Sequence, residues 1–246
     1  MEFEFIDKTV FFPEVGILAI GDLHIGYEKA MMKSGILMPE IQVKDILENL
    51  EKILDKLKTE GKKVKKIIFL GDIKHFFNYE PSERFNFNKV VVFLEKYVKE
   101  KDIILIKGNH DKFDFSGKKM KNYYFKDGVI FLHGHMEFPQ TFEKRVKMIV
   151  MAHLHPSVII SDKQNIKREK YRCFLTGKYK GKEIIIAPSF LNITRGLGMN
   201  TLTYEERDRL KKGFSIIPYK NLQNFVVHAI NDNGEIFDFG KLKNLD

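Results

Sequence analysis

Short apolar blocks recur along the chain. Ile17-Leu18-Ala19-Ile20 lies between glycines, and similar blocks run over Lys65–Leu70, Ile103–Ile106, Val129–Leu132, Met148–Ala152, Val158–Ile160, Glu183–Ala187 and Phe225–Ile230. Blocks this short, with little polar alternation, read as strands buried on both faces. The opening Met1–Phe12 alternates instead and reads as an edge strand or hairpin arm, broken by Gly16. After Pro39 the period changes: Val43, Ile46, Leu47, Leu50, Ile53, Leu54 and Leu57 follow helical spacing until Gly61. Ser82–Lys101 reads as a second helix with Val91, Leu94 and Val98 on one stripe, and Thr141–Lys147 as a short linking helix. Asn231-Asp232-Asn233-Gly234 is a turn that joins the last strand to Glu235–Phe239 as a hairpin. Lys118-Lys119 and Lys163–Arg172 read as solvated polar loops. The pattern predicts one α/β domain over residues 1–246, with β-α-β units first and antiparallel strands later.

Composition narrows the function classes. A chain of 246 residues suffices for a full core. No apolar run approaches a membrane span, and no basic-then-apolar leader opens the chain, so a cytoplasmic protein with no membrane partner is expected. The single cysteine, Cys173, excludes an internal disulfide framework and a thiolate metal cluster, and reads as a small semi-buried residue. The formal net charge of +9 suits an acidic partner such as nucleic acid. It equally suits a thermophile-like surface, since lysine exceeds arginine, Ile and Glu are plentiful and Trp is absent. Charge alone therefore does not choose between the two.

The placement of acids and histidines does more. Asp22 and His24 follow the first buried block, Asp72 the second, and Asn109, His110 and Asp111 the third; His133 ends the next, and His153 and His155 end another. In open α/β sheets the carboxyl ends of strands converge where ligands bind. Carboxylate, amide and imidazole together suit Mn, Fe, Zn, Co or Ni, and the lack of thiolate argues against a purely structural zinc site. Residues two apart on extended backbone face one side, so each x-spaced pair can present two ligands. A single carboxylate such as Asp72 can bridge two cations. Each element alone is weak; the ordered set after successive strands is not.

The set Asp22-x-His24, Gly71-Asp72, Gly108-Asn109-His110-Asp111, His133-Gly134 and His153-x-His155 resembles the calcineurin-like metallophosphoesterase superfamily. The runs Gly-Asp-Leu-His-Ile-Gly-Tyr-Glu and Leu-Gly-Asp-Ile-Lys-His resemble its ICC-like branch, some bacterial members of which are associated with a DNA ligase and a helicase. The resemblance implies a four-layer α/β/β/α sandwich and two divalent ions, manganese foremost, with Ni, Co, Fe or Zn as alternatives. It implies that Asp22, His24 and His155 hold one ion, that Asp72 bridges, and that Asn109, His133 and His153 complete the other. His110 matches the catalytic histidine, and Asp111 is taken as the residue that holds its ring. Ala152 departs from the glycine usual before the last motif.

The expected reaction is attack of activated water on phosphorus, with His110 assisting the leaving oxygen. A phosphodiester of a nucleotide or nucleic acid is the leading substrate, with association to DNA-repair, helicase or ligase partners implied by the branch. A phosphomonoesterase and a non-catalytic scaffold are the alternatives, and the complete ligand set beside His110 speaks against the scaffold. His75 and His135 stand near the motifs as candidate site-lining residues, whereas His228 reads as structural. Arg195 is a candidate phosphate clamp against a plain surface reading, and Phe76, Phe77 and Tyr79 are candidate stacking partners for a base.

Overall fold

The computed structural model describes residues 1–112, 119–161 and 167–245. The first sheet contains β1 (Glu4–Ile6), β2 (Thr9–Phe12), β3 (Ile17–Ile20), β4 (Lys66–Phe69) and β5 (Ile103–Leu105) in that spatial order. β1, β2 and β3 are antiparallel neighbours, while β3, β4 and β5 run parallel. The parallel steps need crossovers. Helices α1 (Tyr27–Lys33) and α2 (Gln42–Thr59) lie between β3 and β4, and α3 (Pro81–Leu94) lies between β4 and β5.

The second sheet contains β6 (Tyr123–Lys126), β7 (Val129–Leu132), β8 (Met148–Met151), β9 (Pro156–Ser161), β10 (Arg168–Tyr179), β11 (Lys182–Ile186), β12 (Leu197–Gly198), β13 (Val226–Ile230) and β14 (Ile236–Lys241). Its spatial order is β12-β9-β10-β11-β8-β7-β6, with the β13–β14 hairpin also paired to β10. The later strands are not simply antiparallel, because β8 pairs parallel with both β7 and β11. Helices α4 (Tyr204–Lys211) and α5 (Tyr219–Leu222) precede β13.

Strand alternation builds the layers. In β3 and β4, Leu18, Ile20, Ile67 and Phe69 face the core beneath α2 and α3, while Ile17, Ala19 and Ile68 face the second sheet. Val129, Phe131, Met148 and Val150 meet them there, and Ile130, Leu132, Ile149 and Met151 point the other way, toward Leu210 of α4 and Leu222 of α5. The result is the four-layer α/β/β/α sandwich expected. Burial on both faces is why these strands read as unbroken apolar blocks. Among the described residues no helix is long and apolar enough to cross a membrane.

Three local expectations fail for identifiable reasons. Thr141–Lys147 forms turns rather than a helix. The Thr141 hydroxyl accepts from the Phe138 N–H, and the carbonyls of Glu143 and Val146 accept from the Lys182 ammonium, which competes with helical pairing. The second helix ends at Leu94 rather than Lys101, although Val98 stays buried in the same core. The polar stretch read as a loop over Lys163–Arg172 becomes strand from Arg168, where β10 pairs with β9. Its residues 163–166 lie outside the described residues, as does Lys118.

Candidate metal centre

The loops that follow β3, β4, β5, β7 and β8 meet at one rim of the sandwich. Asp22, His24, Asp72, His133 and His153 are buried there, and Asn109, His110 and His155 are half-buried. Three groups of possible ligand atoms each span no more than 4.8 Å: Asp22–His24–His155 and Asp72–His133–His153, made wholly of expected ligands, and His24–His75–His110, which joins His24 to two rings not expected to bind metal.

Asp72 is central. Its Oδ2 lies 3.8 Å from His24 Nε2, 3.4 Å from His133 Nε2 and 3.9 Å from His110 Nε2, while its Oδ1 accepts from the His110 N–H at 2.9 Å. Asp22 Oδ2 lies 3.4 Å from His155 Nε2 and accepts from the His153 N–H at 3.2 Å. Asn109 Oδ1 lies 3.0 Å from His133 Nε2, and His24 Nε2 lies 3.3 Å from His155 Nε2.

The donor set fits cations. His133 Nδ1 is 2.9 Å from the Leu70 carbonyl and His153 Nε2 is 2.7 Å from the Phe214 carbonyl. A carbonyl only accepts, so each of these nitrogens carries the proton, and in neutral rings His133 Nε2 and His153 Nδ1 bear lone pairs. Those two lone pairs face each other at 3.1 Å. Such an arrangement calls for a cation between them, and the carbonyls are the outer partners that fix ligand tautomers in metal sites. Asp22 Oδ1 is likewise buried without a hydrogen bond.

The electrostatics agree for four of these groups. Burial and His155 hold His24 down at about 3, and burial and His133 hold His153 down at about 3, so both rings keep free lone pairs. Burial opposes ionisation of Asp22, yet His155 and His133 bring it to about 2, and the imidazoles around Asp72 hold it well below the usual carboxylate range. His133 is the exception: burial opposes its charge, but Asp72 and Asp22 raise it to about 9, so its ring holds a proton of its own that a cation at Nε2 would displace.

Local backbone explains the convergence, and not as strand alternation predicts. His24 (φ 45°), Asp72 (φ 45°), His153 (φ 70°) and His155 (φ 44°) all adopt left-handed conformations. Such residues persist only where their surroundings hold them. The paired ligands therefore converge through tight turns beyond the strand ends, not through extended backbone. Two glycines make room. A Cβ on Gly71 would lie 2.6 Å from His133 Nδ1, and one on Gly108 would lie 2.1 Å from Asp72 Oδ1. At the departure site, the left-handed residue is His153 rather than Ala152, so alanine carries no backbone penalty.

The reading of Asp111 as the holder of the His110 ring is corrected. Its carboxylate is buried and accepts from the N–H groups of Gly108 (3.0 Å), Ile73 (3.3 Å) and Lys74 (3.4 Å), clamping the loop after β5 to the loop after β4. The His110 ring instead meets the His75 carbonyl through Nδ1 and stacks on Phe77, with centroids 4.2 Å apart and planes at 22°. His75 lies 5.4 Å from His24 and His135 5.2 Å from His133, centroid to centroid, so both border the centre. His228 bonds Thr176 on the second sheet, outside the centre. Arg195 does not line the cleft.

A cleft of about 490 Å³ opens over the metal groups. Its far wall includes Thr194, Leu197, Glu206, Arg209 and Phe214. Thr194 belongs to the stretch Thr194-Arg195-Gly196, which the sequence offers as a segment shaping the pocket; the other four follow the last motif and carry no spacing signal.

A family model for the calcineurin-like phosphoesterases matches residues 15–174, a span containing every candidate metal ligand and His110. No curated protein sequence matches the chain. Among solved structures, the nuclease MPE of Pseudomonas putida is similar over 96% of this chain and 93% of its own, with 16% identity and a TM-score of 0.60, a likeness of fold. Wild-type Vps29 of Entamoeba histolytica, complexed with Zn²⁺, covers 91% of this chain and 99% of its own at 14% identity and a TM-score of 0.39, too slight to carry an argument.

Proposed function

Because the chain belongs to the calcineurin-like phosphoesterase family, and is thus a metal-dependent phosphoesterase, we propose that it cleaves phosphodiesters of nucleotides or nucleic acid. The observation that carries the assignment of roles is Asp72 Oδ2, which faces imidazoles of both ligand groups at once. In this reading Asp22, His24 and His155 hold one divalent ion, Asn109, His133 and His153 the other, and Asp72 both. Bound there, divalent cations supply Lewis acidity to the phosphoryl oxygens and lower the pKa of the attacking water.

The chain's own residues supply the rest. The His75 carbonyl accepts from His110 Nδ1–H and so directs Nε2 toward the cleft. As imidazolium, His110 donates its Nε2 proton to the departing ester oxygen. Phe77 keeps the ring in plane from one side. The cleft extends from the ligands to Arg209, which leaves room for groups on both sides of phosphorus and favours a diester. The neighbour from Pseudomonas putida is a nuclease by name, which agrees with that preference. We further assign the chain to the ICC-like, ligase-associated branch as a single domain, cytoplasmic, with manganese as its metal.

Hydrolysis of bis-p-nitrophenyl phosphate and p-nitrophenyl phosphate by metal-stripped protein, with Mn, Ni, Co, Zn and Mg restored singly, tests this. Diester turnover is expected to exceed monoester turnover and to need metal. The opposite preference makes the protein a phosphomonoesterase.

A further inference from the structure

The loop between β11 and β12 has two faces. Thr194 and Gly196 line the cleft, while Asn192 and Arg195 line a second cavity of about 280 Å³ together with Asp7, Lys8, Asn49 and Arg172. The two spaces share this loop as a wall.

The second cavity is built around buried positive charge. Lys8, in the β1–β2 turn, is 5% exposed. Among the described contacts its ammonium donates once, to Asn192 Oδ1 at 2.7 Å, and lies 4.7 Å from the Phe190 ring centroid. An ammonium has three donors, so the rest of its capacity is unspent. Arg172, from β10, donates through Nη2 to the carbonyls of Leu191, Asn192 and Thr194, but its Nε is buried without a partner. Arg195 donates to the Lys170 carbonyl and lies 3.3 Å from Asp232 in an exposed ion pair, a kind of pair that holds weakly. Facing these cations are the carboxylates of Asp7 and Asp232, which leaves the cavity net positive. Burial pulls Lys8 down to about 8, against the opposing charge of Asp7.

Buried charge with unspent donors is costly unless an acceptor meets it. The three cations arrive from three different elements, so they are served by acceptor oxygens pointing in several directions rather than by a planar carboxylate. The volume is slightly below the roughly 300 Å³ at which sites for drug-sized ligands begin, which suits a compact anion. We infer that this cavity binds a phosphate group, at a site separate from the metal centre and formed by Lys8, Arg172 and Arg195. That phosphate belongs either to free inorganic phosphate or to the backbone of a bound nucleic acid.

Titration calorimetry of the metal-stripped full chain with inorganic phosphate at pH 7 tests the inference, with Lys8→Met, Arg195→Gln and, as a control on the cleft, Arg209→Gln. Saturable binding is expected, weakened about tenfold or more by Lys8→Met and in the same direction by Arg195→Gln, whose exposed side chain leaves the fold intact. Arg209→Gln should leave it unchanged. No binding, affinity unchanged from wild type in both cavity variants, or loss only in Arg209→Gln overturns the site. Anisotropy with a labelled single-stranded oligonucleotide names the source. Weakening by Lys8→Met points to backbone phosphate, and unchanged oligonucleotide affinity beside weakened phosphate binding points to the free ion.

Discussion

At the scale of single residues, the proposed roles separate groups that would hold metal from groups that would act beside it. His110→Ala removes the proposed proton donor, so turnover should fall about 10²–10⁴-fold with metal content unchanged, checked by elemental analysis beside steady-state assay. Asp72→Ala removes the one oxygen common to both ligand groups and should empty both sites; retained metal would contradict the bridging role. Glu83 gives a pH signature. It is buried, its Oε1 accepts from the N–H groups of His75 and Phe76, and its Oε2 has no partner. Burial raises it to about 6 from an ordinary value of 4.5. The folded state then keeps this proton to higher pH than the unfolded chain, so stability declines as pH rises from about 4.5 through 6. Glu83→Gln should remove that part of the decline, read from denaturant midpoints across the window. The cluster of acids and imidazoles was legible because each member follows an apolar strand. The role of Asp111 was not, because adjacency in sequence says nothing about where a carboxylate finds its donors.

At the scale of elements, legibility followed burial. The strands at Ile17–Ile20 and Val129–Leu132 are wholly buried and announced themselves, as did α2 through its apolar stripe. Helix α4 did not: Tyr204–Lys211 is almost entirely polar and, among its described side chains, contributes only Leu210 to the core. Its stability comes instead from its first turn. The Thr203 hydroxyl accepts from the Glu206 N–H, and the Glu206 carboxylate accepts from the Thr203 N–H. Thr203→Ala should cost about 0.5–2 kcal/mol, measured by urea denaturation. Since Glu206 and Arg209 also wall the cleft, the same change should raise KM more than it lowers kcat.

At the scale of the whole molecule, the +9 charge makes a separate prediction about nucleic acid. If lysines neutralise backbone phosphates, the logarithm of affinity for single-stranded DNA should fall linearly with the logarithm of salt concentration, by about 0.7 for each phosphate contacted. A flat dependence, measured by anisotropy titration between low and moderate salt, would leave the charge to surface ion pairing. The rim where the ligands meet has its own consequence. Asp22, His24, Asp72 and Asn109 extend from the first sheet, and His133, His153 and His155 from the second. Each ligand group draws on both halves of the sandwich, so under the proposed assignment metal would be held only when the halves are mated. Mass action then makes the resistance of the sandwich to unfolding a function of free metal, growing by about 2.7 kcal/mol when the ion stands at 100 times its dissociation constant. A cell that starves this protein of metal should therefore lose the protein itself, to proteolysis of the parted sheets, and not its turnover alone.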